Sequence, residues 1–284
     1  MEILAQAAFD GMVVGAMIGL AALGLTFIWG VERFSNIAQG DTLTVAAYAA
    51  LGVASLGVPL VVSAGVSIVI TVAIVLATER FAFRRLAAAP RIALLVASIG
   101  VSLVYRGVVS LLFTTRLQGY DISPARAITL GFVRVSPLDI VIVATVALAL
   151  AFVYGVLYRT RTGIEMRAVA DLRDLARVSG IKTQRVIQVT WAVSAAVSAV
   201  AGILLAAKLG LTPLIGWNIL LAAFAATVLG SIGNPVGAVV GGIAIGVITE
   251  TSAVVLSPTY KQAVAFVILA LLLLVRPRGL FPRS

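Results

Sequence analysis

Long runs of apolar residues dominate this chain and restrict what it can fold into. The first runs from about Phe9 to Val31, and comparable runs recur to about residue 275. A helix needs about 20 consecutive apolar residues to cross a bilayer. Hydrophobic residues make up 61% of the chain and charged residues only 11%, whereas a soluble domain carries about 25% charged residues. The sequence therefore predicts an all-α polytopic integral membrane protein of about eight or nine spans.

Basic residues predict the orientation of these spans. The segments 79–91, 159–186 and 276–283 hold 14 of the 21 Lys and Arg residues, and the positive-inside rule places such segments in the cytoplasm. The loop Thr115–Pro137 and the N-terminus then lie outside, and the C-terminus lies inside. The first residues lack the basic start of a cleavable signal peptide, which indicates a retained first span. The same rule explains the net charge of +10 without nucleic acid.

Two polar breaks interrupt the apolar runs, Asn36–Asp41 and Ser231–Pro235. The run 219–230 that precedes the second break is too short to span a membrane. Irregular backbone inside a membrane survives only where protein buries it or a polar cavity adjoins it, and transporters often build solute sites from such broken helices. We expect both breaks to line or bracket a solute path. A tight turn at the cytoplasmic surface is the alternative for the second break.

Glycines recur at a spacing of four residues in the first apolar run, at Gly11, Gly15 and Gly19. Repeated GxxxG steps place glycines on one helical face, where another backbone can approach closely. Gly237 and Gly241 have the same spacing and the same predicted role. The alternative is that these glycines are merely tolerated in membrane helices.

The longest charged stretch of the chain is Thr162–Gly180. Thr162 and Glu165 have the spacing of a capping box that starts a helix, and Gly180 suits the position just after a helix end. An apolar stripe and a charged face are predicted between them: Val169, Leu172, Leu175, Ala176 and Val178 on the stripe; Arg167, Asp171, Asp174 and Arg177 on the face. A membrane-surface helix would carry a cationic polar face. This one is close to neutral, which favours a protein partner.

Several chemistries are excluded by composition. The chain has no cysteine and no histidine, so disulfides, zinc thiolate sites, Ser-His-Asp triads and histidine proton relays are ruled out. There is no GxxxxGK[ST] phosphate loop, and the nearest stretch, Gly180–Thr183, has the wrong spacing. If ATP drives a process here, another polypeptide hydrolyses it.

Ion-coupled transport is the main alternative, and it needs ionisable groups inside the membrane. Glu250 and Arg106 lie within predicted spans, and Asp10 and Asp139 lie at span ends. The simpler interpretation is that Glu250 and Arg106 lie near the outer interface, where they pair or extend toward water. A Ser-Lys protease is disfavoured because the candidate lysines lie at span ends without a serine at an evident spacing.

Four parts of the sequence resemble the H-type permease subunit of the branched-chain (hydrophobic) amino-acid ABC importers. They are Gly19-LAALGLTFIWGV-Glu32; Ser35-NIAQG-Asp41 with Ala46-AYAA; Met166-RAVADLRDLARVSGI-Lys182 with Val200-AGILLA; and Ala223-FAATVLGSIGNPVGAVVGG-Ile243 with the tail Val275-RPRGL-Phe281. The resemblance extends over nearly the whole chain. Gln39 stands where the family has a histidine, and Ala46-Ala47 replace the glycine of its GAY motif, so the solute or its handling can differ here.

The resemblance implies a single transmembrane permease domain, residues 1–284, with its coupling loop at 159–186, in the bacterial inner membrane. Its expected partners are a second permease (an M-type relative or a second copy), two ATP-binding subunits and an extracytoplasmic solute-binding protein. ATP and magnesium would bind the ATPases, with no cofactor and no catalysis on this chain.

The predicted site residues form two groups. The solute path or gate would use Asn36, Gln39, Gly40, Asp41, Ser231, Asn234, Pro235 and Glu250. Coupling to the ATPase would use Thr162, Glu165, Arg167, Asp171, Leu172, Asp174, Leu175 and Gly180.

Overall fold

A computed structural model describes residues 2–122, 127–130, 133–276 and 279–280. Within those ranges the chain is almost entirely helical, which confirms the all-α membrane class. The helices are α1 (Glu2–Glu32), α2 (Ala38–Ala54), α3 (Leu60–Thr78), α4 (Arg91–Phe113), α5 (Pro137–Arg159), α6 (Arg161–Asp171), α7 (Arg173–Val178), α8 (Thr183–Leu209), α9 (Ile215–Leu229), α10 (Pro235–Leu256) and α11 (Lys261–Val275). Two short strands, β1 (Ile128–Leu130) and β2 (Val133–Val135), pair antiparallel.

Seven helices of the described chain are long and apolar enough to cross a membrane. They include α3, which a π-helical turn and a 3-10 turn extend as far as Leu86. The shorter apolar helix α9 brings the total to eight, which agrees with the predicted eight or nine. The predicted turn Ser55–Pro59 lies between α2 and α3. Most of the predicted basic tail, including 277–278 and 281–284, lies outside the described residues.

Glycine contacts bring α1 and α10 together at backbone distance. A Cβ atom added to Gly15 would lie 2.7 Å from the Cα atom of Ile243, and one added to Gly246 would lie 2.3 Å from the Cα atom of Gly15. Gly11 and Gly19 face the α10 backbone in the same way. Because the interface is backbone against backbone, it has no room for any larger residue at these positions. Nearly all of α1 beyond its first two turns is buried as a result.

The helices α9 and α10 form a tight antiparallel pair. A Cβ atom on Gly237 would lie 1.8 Å from the carbonyl oxygen of Gly230, and one on Gly241 would lie 2.3 Å from the carbonyl oxygen of Ala226. The turn between them closes with Gly233 at a φ of +87° and with the Asn234 side chain accepting a hydrogen bond from the Gly237 amide at 3.1 Å. Gly237 and Gly241 therefore contact α9, whereas Gly11, Gly15 and Gly19 contact α10.

The helix α2 begins inside the bundle rather than at its end. The Ile37 amide donates to Ser98 Oγ at 3.1 Å, and Ser98 lies about 10 Å along α4 from its start at roughly 1.5 Å per residue. The start of α9 lies at a similar depth from the opposite side, because Gly216 contacts Gly40. Two short helices thus begin at the same level in the middle of the bundle.

The two ends of the bundle differ in chemistry. One end, here called the loop end, carries residues 114–122 and the two short strands. It also carries an ion-pair cluster in which Lys208 Nζ lies 2.5 Å from Asp139 and 3.7 Å from Asp10. Tyr120 anchors the 114–122 segment by donating to the Ala47 carbonyl at 2.8 Å, and burial raises the pKa of its hydroxyl, so it stays protonated. The opposite end, here called the basic end, carries α6 and α7.

We predict that Gly15→Val lowers the unfolding free energy of the detergent-solubilised chain by about 3 kcal/mol, since its side chain would meet backbone that cannot move aside. Gly65→Val in α3 is the matched control, because a Cβ atom there has no neighbour within 4 Å. Unfolding by SDS titration measures both. Equal stability of the two variants would contradict the packing described for α1 and α10.

Candidate functional site

The first turn of α2 lies in a buried polar cluster between α1 and α8. Gln39 Nε2 donates to Ser194 Oγ at 3.1 Å and also to Ser198 Oγ. Ser194 Oγ in turn donates to the Gly24 carbonyl at 2.8 Å. Asn36 Nδ2 makes only a long contact of 3.5 Å with Gln39 Oε1. In this conformation Gln39 therefore joins three helices within the chain, and its side chain is not on an open surface.

Asp41 forms the most deeply buried ion pair among the described residues. Its carboxylate accepts from Arg106 Nη2 at 3.0 Å and from Arg106 Nε at 3.3 Å, and it also accepts from Ser102 Oγ. The Arg106 guanidinium lies over the ring of Trp217, 4.7 Å from its centroid. A bidentate contact of this kind, in which two guanidinium N–H groups donate to one carboxylate, fixes both groups in position. The pair therefore ties α2 to α4 and brings the start of α9 alongside them.

Close backbone contact accounts for Gly40 in the same cluster. A Cβ atom on Gly216 would lie 1.8 Å from the Gly40 carbonyl oxygen, and the Gly216 amide donates to Thr44 Oγ1 at 3.1 Å. A side chain at either glycine would separate α2 from α9. The first break thus holds two short helices together at mid-depth.

The second break lies at the basic end of the bundle. Ser231, Asn234 and Pro235 form the α9–α10 turn, and Pro235 shares a cleft with Met166 and Arg167 of α6. The chain reverses in a tight turn after residue 230, and α9 is the short helix that the sequence predicts before the second break. Glycines at 230, 233 and 237 allow the chain to reverse within a few residues.

The two breaks nevertheless border one cavity. A space of 280 Å³ lies between α1, α9 and α11, with Asn36 from the first break and Ile232 from the second among its lining. Its other walls are almost wholly apolar and include Trp29 and Phe224. Asn36 Oδ1 has no hydrogen-bond partner in the described structure.

Glu250 lies apart from both breaks. Its two carboxylate oxygens each accept from Lys261 Nζ at 2.7 Å, between α10 and the start of α11. The pairing agrees with the simpler of the two interpretations of this residue. The structure does not bring Glu250 to Asn36–Asp41.

Sequence reasoning missed most partners of the first break. Ser98, Ser102 and Arg106 lie four residues apart on α4, and Ser194 and Ser198 lie four apart on α8. Polar residues repeated at helical spacing in an apolar run predict a polar face turned toward protein. That signal was available in the sequence, although it does not say which helix the face meets.

The charged stretch at the basic end starts earlier than predicted. Thr160, not Thr162, caps α6, since its side chain accepts from the Gly163 amide at 3.1 Å. Gly163 is buried, and a Cβ atom there would lie 2.3 Å from the carbonyl oxygens of Val156 and Leu157. The chain therefore turns from α5 into α6 too tightly for the helix to start at Thr162. Neither Thr162 nor Glu165 forms the predicted capping box.

The predicted single helix is in fact two. It breaks at Leu172, whose backbone has φ −142° and ψ 88°. Arg33 Nη2 donates to the carbonyls of Ala170 and Asp171 at 3.2 Å each. In a continuous helix those carbonyls would accept hydrogen bonds from the amides of residues 174 and 175. Arg33 supplies replacement donors where the helix breaks.

Gly180 ends α7 as the sequence indicates, with a φ of +86°. The Ile181 amide donates to the Ala176 carbonyl at 3.0 Å and the Gly180 amide to the Arg177 carbonyl at 3.1 Å. These two bonds make a Schellman motif, which needs a residue in the left-handed conformation.

The break at Leu172 divides the predicted apolar stripe. Val169 and Ala176 are buried against the bundle, whereas Leu172, Leu175 and Val178 are exposed by 61%, 60% and 86%. The two exposed leucines line a cleft of 580 Å³ together with Glu32, Arg91 and Asp174. The predicted role of the stripe as one continuous face is therefore wrong, and its outer half is an apolar surface in a charged rim.

Two of the three remaining coupling candidates border this surface. Arg167 is turned inward, 5.0 Å above the Tyr158 ring. Asp171 and Asp174 are exposed near the cleft. Large exposed apolar surfaces with a polar rim are typical of protein interfaces.

Comparison with known proteins agrees with this architecture. The profile of the family described as the branched-chain amino acid transport system permease component matches residues 7–274. The chain is 32% identical over 300 residues to the high-affinity branched-chain amino acid transport system permease protein LivH of Escherichia coli K12, covering 98% of this chain and 95% of LivH. It is 30% identical over 293 residues to the BraD permease protein of Pseudomonas aeruginosa, with the same coverage.

A solved structure supports the fold alone. PsaBC from Streptococcus pneumoniae, in complex with Fab, aligns with a TM-score of 0.53 at 14% identity, over 98% of this chain and 93% of that chain.

We predict that Asp41→Asn lowers the unfolding free energy by about 3–5 kcal/mol, because it leaves the Arg106 charge without its carboxylate. The double variant Asp41→Asn with Arg106→Gln removes both charges and should cost less than the sum of the two single changes. SDS titration of all four proteins gives the coupling free energy. Strict additivity would contradict a direct pair.

Proposed function

This chain belongs to the family of branched-chain amino acid transport system permease components and is a membrane subunit of an ABC transporter, and on that premise we propose that it imports branched-chain or other hydrophobic amino acids, or a related small solute. The solute class is the one in the names of its relatives LivH and BraD, the branched-chain amino acids. Solute would pass between this subunit and a second permease.

The exposed apolar surface at the basic end carries the proposal of ATP coupling. Leu172 and Leu175 present apolar side chains in a cleft whose rim holds both acids and arginines, and Val178 is exposed on the same helix as Leu175. A lipid-facing helix would not combine such leucines with a near-neutral charged rim. An ATPase that docks on α7 could move α6, α8 and, through Arg33, the end of α1 as one unit.

The assembly we propose has four kinds of component. Two ATP-binding subunits dock at the basic end, an extracytoplasmic solute-binding protein docks at the loop end, and the second permease is an M-type relative or a second copy. ATP and magnesium bind the ATPase subunits, and this chain carries no cofactor and no catalytic residue. The chain lies in the bacterial inner membrane. Its N-terminus lies outside and its C-terminus lies in the cytoplasm, as the positive-inside rule indicates.

The path through this subunit would use both breaks. The buried bonds of Gln39 and Asp41 hold the short helices α2 and α9, so these residues support the gate from within. The 280 Å³ cavity lined by both Asn36 and Ile232 lies between α1, α9 and α11. This space would let the three helices move relative to one another. Glu250 would contribute to the path indirectly, by holding α10 against the start of α11 through its bond to Lys261 at the loop end.

A carrier driven by an ion gradient is the second class of function, and it has less support. Such a carrier needs acids that can bind and release a cation or proton. Asp41, Asp139 and Glu250 each pair with an arginine or lysine of the same chain. These pairs occupy the carboxylates that an ion would require.

We predict that Leu172→Asp with Leu175→Asp abolishes ATP-dependent uptake while the permease still folds. Both side chains are exposed, so the change removes an apolar docking surface and leaves the packed bundle intact. Uptake and ATP hydrolysis in proteoliposomes of the complete transporter measure the result. Leu172→Met with Leu175→Met keeps the apolar surface and is the matched control. Normal uptake by the aspartate variant would contradict the proposal.

A further inference from the structure

Arg106 is a charged residue well within a membrane helix. It precedes the end of α4 at Phe113 by about 10 Å, at roughly 1.5 Å per residue. A charge at that depth is costly unless it pairs, faces the bundle interior or meets a water-filled space. The side chain of Arg106 is 22% exposed, so part of it reaches the surface of this subunit.

The pairing with Asp41 uses one edge of the guanidinium and leaves another free. Nε and Nη2 both donate to the carboxylate, while Nη1 makes no hydrogen bond in the described structure. Trp217 covers the guanidinium and is itself 44% exposed. Hydrocarbon offers no acceptor for free N–H groups, and leaving them unpaired there is unfavourable.

The surface beside this pair is polar as well. Asn218, the next residue of α9, is exposed, and its Oδ1 atom accepts from Gln262 Nε2 of α11 at 3.2 Å. The starts of α9 and α11 therefore extend the polar surface away from Arg106. Such a surface fits an aqueous path better than contact with lipid.

We propose that Arg106 and Trp217 form a carboxylate-binding subsite on the solute path. Free N–H groups of an arginine suit a carboxylate, and the Trp217 ring offers a flat apolar surface for the carbon chain next to it. Asp41 holds the guanidinium in place and balances its positive charge in the absence of solute. This subsite rests on the proposed function, since it requires a transported solute that carries a carboxylate.

The subsite sets the chemical class of the solute. A hydrophobic amino acid or short carboxylic acid can pair with Nη1. Its amide or amine analogue lacks the anionic group and loses a charge-assisted hydrogen bond. Selection by the permease would then add to the selection made by the solute-binding protein.

Cysteine labelling tests whether this surface is wet and positive, because the chain has no cysteine of its own. Trp217→Cys is compared with Val143→Cys in α5, which is 48% exposed at a similar depth from the loop end. The assembled transporter in membrane vesicles is treated with a water-soluble methanethiosulfonate that carries a sulfonate. We expect the thiol introduced at position 217 to react at least about tenfold faster than the thiol introduced at position 143, since positive surfaces raise local anion concentration.

A second pair of measurements assigns the effect to Arg106. Adding Asp41→Asn and Arg106→Gln to the Trp217→Cys chain removes the exposed guanidinium together with its buried partner charge, and the anionic reagent should then react no faster than a cationic one. In the chain that retains Arg106, saturating solute carboxylate should slow labelling, and its amide should not. Equal labelling of the Trp217→Cys and Val143→Cys chains, or equal protection by both solutes, would overturn the subsite.

These outcomes are separable from failure of the proposed function. Loss of ATP-dependent uptake in the unaltered transporter would reject the permease role itself. Normal uptake by the unaltered transporter, together with an unreactive thiol in the Trp217→Cys chain, would reject only the subsite.

Discussion

The close crossing of α1 and α10 is the contact on which the rest of this structure depends. In a membrane, helices gain little by hiding apolar side chains from each other, because lipid is equally apolar. Glycine removes side chains from the interface, so backbones meet and pack tightly. Since α1 is buried along most of its length, it is the central helix around which α5, α8, α9 and α10 are placed.

A second constraint comes from the few polar groups inside the bundle. Burying a polar side chain without a hydrogen-bond partner costs free energy, so such groups favour arrangements in which they pair. The Gln39 and Asp41 bonds meet this need and also fix where α2 begins. The same bonds set the start of α9 through Gly40 and Gly216. The position of two short helices at mid-depth thus follows from hydrogen bonding, and it places Arg106 and Trp217 at the surface.

The sequence predicts much of the fold because membrane spans are local features. Runs of apolar residues, the turn at Ser55–Pro59 and the end of α7 at Gly180 follow from neighbouring residues alone. The break at Leu172 does not, because it depends on Arg33, which is remote in sequence and donates to the carbonyls before the break. The Thr160 cap was missed for a similar reason, since the tight corner at Gly163 is set by how α5 and α6 pack. The partners of Asp41 required knowledge of which helices meet.

The central claim is that this chain is a permease subunit that depends on separate ATPase subunits. Reconstitution in liposomes tests it most directly, with the chain alone and with its partner permease, ATPases and solute-binding protein, and with a radiolabelled branched-chain amino acid as solute. Uptake should require the full assembly and ATP on the side of the ATPases. Uptake by this chain alone, without ATP and driven by an ion gradient, would contradict the account.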